Sequence, residues 1–214
     1  MDDRRSLPHA SQPLMFYPAR NLPAAERKRL EGFEIELDEL TVDHIVFSLS
    51  RQVENNFQTF YTVAEDVVGT EKAMEIAYEI GVRYGGLGYS TWLSAHGYGD
   101  RGNPETMARY QDFVHAIRGP KHTAALFATY TDVECVVKRG ACIYFDETKP
   151  ANGKYTGEFE RGCFEGYKRA DANLDRVEVR SCCWRGDGGC DIAWVFDEDK
   201  MRESGRHLRS GAAG

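Results

Sequence analysis

A chain of 214 residues with a formal charge of −7 is long enough to bury one large core, and its acidity argues against nucleic acid or an anionic membrane surface as the main partner. No apolar run reaches the length of a membrane span, and the opening MDDRRSLPHASQPLMFYPARNLP lacks an apolar h-region, so a cytoplasmic protein with no membrane segment is expected. In that compartment the six cysteines are expected to be reduced, metal-bound or catalytic rather than paired.

Residues 1–36 are rich in proline and charge without a sustained period, and read as an extended arm. From about Thr41 to Val68 the spacing turns helical: Ile45, Leu49, Val53, Phe57, Phe60, Ala64 and Val67/Val68 recur every three or four residues. Asn55 and Asn56 interrupt the stripe and read as a solvated patch. Gly69-Thr70 breaks this helix and starts a second, with Ala73, Ile76/Ala77, Ile80, Tyr84 and Leu87 as its expected buried face. Gly85, Gly86 and Gly88 follow. No strand precedes them and the dinucleotide fingerprint is incomplete, so close helix packing is preferred to a phosphate loop. Asn103-Pro104-Glu105 is a helix start: cap residue, proline at the first helical position, acid in the first turn. Met107, Tyr110, Val114 and Ile117 mark the inner face of that helix, which Gly119-Pro120 ends.

The pattern then changes. Thr123 to Phe145 is β-branched and aromatic and predicts two or three strands, with Lys138-Arg139-Gly140 as a turn and Val133, Cys135 and Val137 on one face. Asp146 to Gly157 reads as a polar loop or lid. A helix is expected from about Glu158 to Ala170, with Phe159, Cys163, Gly166/Tyr167 and Ala170 on one stripe and Cys163 facing the sheet. Arg176–Phe196 alternates with period two on either side of Gly186-Asp187-Gly188-Gly189, the signature of a β-hairpin. Residues 37–199 therefore predict a single α+β domain, with an N-terminal helical layer packed on a mostly antiparallel sheet. Residues 200–214 read as a flexible tail.

Most of the chemistry on offer is thiol chemistry. Cys135 and Cys142 are explained as small buried hydrophobes. Cys163, Cys182, Cys183 and Cys190 lie on a helix, a strand and a return strand, and thiolates converging from such elements suit zinc. Strict alternation turns Cys183 toward the core beside Cys190, and a bulge at Ser181–Cys183 would turn Cys182 there instead. The other use of a buried cysteine is as a nucleophile with an acid or histidine in reach. The histidines have no triad spacing. His115 and His122 flank the helix-to-sheet junction, and His122 is the histidine candidate.

The segment Cys163, Asp171, Asn173, Val177-Glu178-Val179 and Gly186-Asp187-Gly188-Gly189-Cys190-Asp191-Ile192 resembles the L-2-amino-thiazoline-4-carboxylic acid hydrolase-like family. The same ending resembles the four-vinyl-reductase domain, including the zinc-bearing ligand domains of phenol-sensing regulators. There the pattern is Glu-x-x-Cys, seven residues, then Cys within a Gly-Asp turn. Cys182 and Cys190 match that spacing, while Glu178 stands one place early. The likeness covers roughly the last third of the chain. The hydrolase resemblance implies opening of a C–N bond in a small cyclic amidine or amide, with Cys163 as nucleophile or metal ligand and Asp171 orienting or shuttling the proton. The second resemblance implies zinc as cofactor, held by Cys163, Cys182, Cys190 and Glu178, in a small-molecule-binding, sensor-like domain. A tetrapyrrole-directed reductase or accessory protein is a third reading. The absence of an attached DNA-binding or ATPase segment favours the enzyme. Either way the expected partner is a small molecule, and a homo-oligomer is compatible with the sequence.

Overall fold

The computed structural model describes residues 5–6, 42–116, 127–139, 142, 145 and 150–206. Two long helices come first, α1 (Val42–Val68) and α2 (Thr70–Ala95), separated by Gly69 at a φ of 79°, a value glycine adopts without steric cost. The buried face of α1 keeps only part of the predicted apolar stripe, Phe57 and Ala64 packing against the core. Gln58 and Tyr61 are buried, while Phe60, Val67 and Val68 are exposed. Aromatic partners on a later helix, α4 (Gly153–Ala170), select that face. Phe57 meets Phe159 edge-on at 4.8 Å, and Tyr61 stacks on Tyr155 at 5.3 Å. Asn55 and Asn56 are exposed.

On α2 the expected buried residues Tyr84 and Leu87 are also exposed. The expected Ala73 and Ala77 are buried, and the buried line continues from them through Gly81, Gly85, Tyr89 and Leu93, in steps of four. Small residues occupy it because α2 and α4 touch backbone to backbone. A Cβ at Gly81 would lie 2.0 Å from the Phe159 carbonyl oxygen, and one at Gly162 would lie 2.1 Å from that of Tyr78. Gly85 sits on the same seam, against the Cys163 backbone.

Helix α3 (Pro104–Ala116) starts where the sequence places it. The Asn103 carboxamide oxygen accepts from the Thr106 amide at 2.8 Å. Met107 and Tyr110 are buried and Val114 is packed against the core. Ile117, Gly119-Pro120 and His122 fall outside the described residues.

The sheet comprises β1 (Arg5–Ser6), β2 (Phe127–Tyr130), β3 (Glu134–Arg139), β4 (Leu174–Ser181) and β5 (Cys190–Phe196), in the order β1-β2-β3-β5-β4. Every pairing is antiparallel. Lys138 and Arg139, expected as a turn, belong to β3, and the β2–β3 turn lies at Thr131–Val133. Thr131 Oγ1 accepts the amides of Val133 and Glu134 there, while Lys138 pairs across the sheet with Asp191 at 3.3 Å. Register puts Cys135 opposite Trp194 and Val137 opposite Ile192, with Val177 and Val179 continuing the same face on β4. Helices α3 and α4 cover that face. The opposite face carries a charged ladder, Arg180 reaching Glu134 at 3.0 Å and Glu178 at 3.5 Å.

The architecture is a single α+β unit, a helical layer on an antiparallel sheet. Helix α4 begins at Gly153, five residues before the predicted start, so the end of the expected loop is helical. Residues 200–206, expected to fray, are held. Helix α5 (Glu198–Glu203) buries Met201, and the Arg206 carbonyl accepts from Asn103 Nδ2 at 3.1 Å. Of the arm expected over 1–36, only Arg5–Ser6 are described. Among the described residues no helix is long and apolar enough to cross a membrane.

Candidate functional site

Strand β4 carries an irregularity at its end that decides where the hairpin thiols go. Val179 pairs with Ile192 but Ser181 pairs with Asp191, so Arg180 is the extra residue of a bulge. The slip moves Ser181 to the outer face and Cys182 to the inner one. Cys182 is extended, and Cys183–Arg185 then form a single 3₁₀ turn closed by Gly186 in the left-handed conformation, φ 91°. The turn swings Cys183 back over β5. Asp187 locks it, its Oδ2 accepting the Cys182 amide at 2.8 Å.

Cys182 and Cys183 therefore both face Cys190, a result neither alternative in the sequence contains. Their Sγ atoms each lie 3.2 Å from Cys190 Sγ, and the Cys183 amide donates to that sulfur at 3.3 Å. Cys142, assigned to plain packing from the sequence, joins the group. Its thiol donates to Glu160 Oε1 at 3.1 Å, and a bond to Cys183 is the largest single influence on the Cys183 thiol. That bond lowers the Cys183 pKa, but bonds to Cys182 and Cys190 together with burial raise it by more. The Cys182 thiol follows the same pattern: the bond with Cys183 lowers it, and the bond with Cys190 and burial carry it upward. Both are neutral thiols near pH 7. Burial, with Cys142, Cys163 and Glu160 nearby, also pushes the Tyr61 hydroxyl up. That hydroxyl is buried with no hydrogen-bond partner among the described residues. Cys183 lines an open cleft of about 520 Å³, shared with Phe145, Pro150 and the turn, which connects the cluster to solvent.

The other candidates make different contacts. Cys163 is buried on α4, its backbone against Gly81 and Gly85, and it lies near Tyr61. Glu178 lies on the outer face opposite Ala193, salt-bridged to Arg176 at 2.8 Å and to Arg180, and the Arg176 bond lowers its pKa. It is not brought to the thiols, because the residue facing inward at that level is Val179. Asp171 terminates α4, eight residues after Cys163 and so about 12 Å along the axis. It is fully buried, with Tyr89 Oη and the amides of Gly102 and Asn173 all donating to it at 3.0 Å. Burial raises its pKa and those donors draw it down. The carboxylate joins α4 to the Gly102 loop, and its three donors hold it as a structural link.

Zinc is what the resemblance implies. The described thiols suit it in chemistry, as three neighbouring sulfurs with a fourth, Cys142, bonded to Cys183. In geometry they are too close: zinc–sulfur bonds of about 2.3 Å set tetrahedral sulfurs about 3.8 Å apart. Among the described residues no three His, Cys, Asp or Glu side chains are arranged to hold a metal ion, so binding requires the sulfurs to part by several tenths of an ångström. Sequence reasoning missed Glu160, which is buried. An acid three residues before Cys163, on the same helical stripe, was the available signal.

Comparison with known proteins returned no match among family models, curated proteins or solved structures.

Proposed function

We propose that the protein is a small-molecule-binding domain whose hairpin turn is clipped by zinc through Cys182, Cys183 and Cys190, with Cys142 as the fourth donor. The observation carrying this reading is the convergence of Cys182 and Cys183 on Cys190. Free thiols usually pack as isolated small hydrophobes, whereas a bulge, a 3₁₀ turn and a carboxylate latch together aim two consecutive cysteines at a third. Bound there, zinc would convert neutral thiols to thiolates and fix the turn against β5. The chain's own residues do the rest: Asp187 holds the turn through the Cys182 amide, and the Cys183 amide supports charge on the Cys190 sulfur. The likeness to zinc-bearing ligand domains supports the reading, with Cys142 and Cys183 in place of Cys163 and Glu178.

The hydrolytic reading has less support. It asks Cys163 and Asp171 to cooperate, and Asp171 is committed to Tyr89, Gly102 and Asn173. Elemental analysis of protein purified without chelator tests the proposal. One equivalent of zinc is expected, lost in Cys190→Ser and retained in Glu178→Gln. Metal-free protein that stays folded and takes up no zinc on titration refutes it.

A further inference from the structure

Beside the thiol cluster, on the other side of the same turn, lies a second cleft of about 440 Å³ between α4 and the edge strand β4. We infer that it binds a small planar organic carboxylate. The inference rests on the small-molecule-binding reading and supplies the ligand class which that reading leaves open.

The walls are apolar: Met74 from α2, Phe164 from α4, Val179 from β4 and Trp184 from the turn. The volume is that of an ordinary small-molecule pocket. The placing of the indole wall depends on a missing side chain. Trp184 lies over Gly157, where a Cβ would come within 3.0 Å of the indole, so glycine lets the indole pack against the helix. The indole N–H is buried and has no acceptor among the described residues.

Charge selects the rest of the ligand. Three cations line the cleft, Lys154, Arg161 and Arg185. Two are committed: Lys154 to Glu65 at 2.9 Å, and Arg161 to Glu158 while it stacks over Tyr78 at 4.3 Å. Arg185 is different. Its guanidinium lies 4.7 Å from the Trp184 ring centroid and has no carboxylate partner among the described residues. An aromatic slot with one uncommitted guanidinium beside it matches a ring bearing a carboxylate, because the planar fork of arginine pairs with that group through two parallel hydrogen bonds. A neutral ring would gain the slot and leave the guanidinium to water. Trp184 and Arg185 follow Cys183 in the same 3₁₀ turn, so a metal that fixes the turn also fixes this wall.

Calorimetric titration of the full chain with benzoate and indole-3-carboxylate, against benzamide and indole-3-carboxamide, tests the inference, with zinc content measured on the same sample. Each carboxylate should bind about tenfold tighter than its amide, the scale of one charge-assisted contact. Arg185→Gln, an exposed position, should abolish that preference and leave amide binding in place, while Gly157→Ala should weaken both. Carboxylates that bind no tighter than amides, or a preference that survives Arg185→Gln, overturn it. Zinc-loaded protein without the preference removes the cleft and keeps the metal clip. Metal-free protein with an Arg185-dependent preference does the reverse.

Discussion

Helix α4 runs between two buried polar neighbourhoods built on opposite rules. At its C-terminal end Asp171 receives three donors at 3.0 Å, and Asn173 Nδ2 donates onward to the Gly102 carbonyl and Ser204 Oγ. Toward its N-terminal half, the Tyr61 hydroxyl and Trp184 indole N–H are buried without partners among the described residues, and neutral thiols crowd at 3.2 Å. A saturated network rigidifies, whereas an unsatisfied one is costly unless something else completes it. The contrast separates two features that the sequence marks as functional: Asp171 is hydrogen-bonded into the fold, while the hairpin thiols lie against one another.

The largest expected effect tests the saturated end. Asp171→Ala strands buried donors and should cost about 4 kcal/mol, read as a lowered urea midpoint. A loss under about 1 kcal/mol would remove its structural role. Next comes the thiol end: zinc at roughly a hundredfold above its Kd should stabilise the protein by about 2.7 kcal/mol, and chelation should reverse this in a thermal melt. Two tyrosines then sharpen the contrast. Tyr89→Phe loses the bond to Asp171 and should cost about 1.5 kcal/mol, while Tyr61→Phe deletes an unpartnered hydroxyl and should be neutral or slightly stabilising. An unchanged midpoint in Tyr89→Phe would merge the two cases.

A further effect is in pH. Burial lifts Asp112 from 3.8 to about 6, against the Ala128 backbone and Arg109, which draw it down. A folded value above the unfolded one means that the fold favours the protonated acid. Its contribution is therefore fully present below 3.8 and lost as pH rises through about 6. Denaturation midpoints measured across that window should fall with pH in the parent and fall less in Asp112→Asn.

Much of the fold was legible. The α+β class, the Asn103 cap and the final hairpin follow from period and turn chemistry. Two helix faces did not. Phe60, Tyr84 and Leu87 satisfy an apolar stripe, but rings on α4 fix the first face and backbone contact at Gly81 and Gly162 fixes the second. Those are properties of a partner helix far along the chain. At the site, alternation offered Cys182 or Cys183 as exclusive choices. The bulge at Arg180 and the turn after it admit both, and strict period-two reasoning has no term for a turn that reverses direction in a single residue.

Strand β5 is the last strand among the described residues but lies inside the sheet, between β3 and β4. During synthesis β3 and β4 are therefore made first, and only β5, which pairs with both, joins them into one sheet. The sheet of a nascent chain therefore stays incomplete until β5 has been made, since among the described residues β4 has no other strand to pair with.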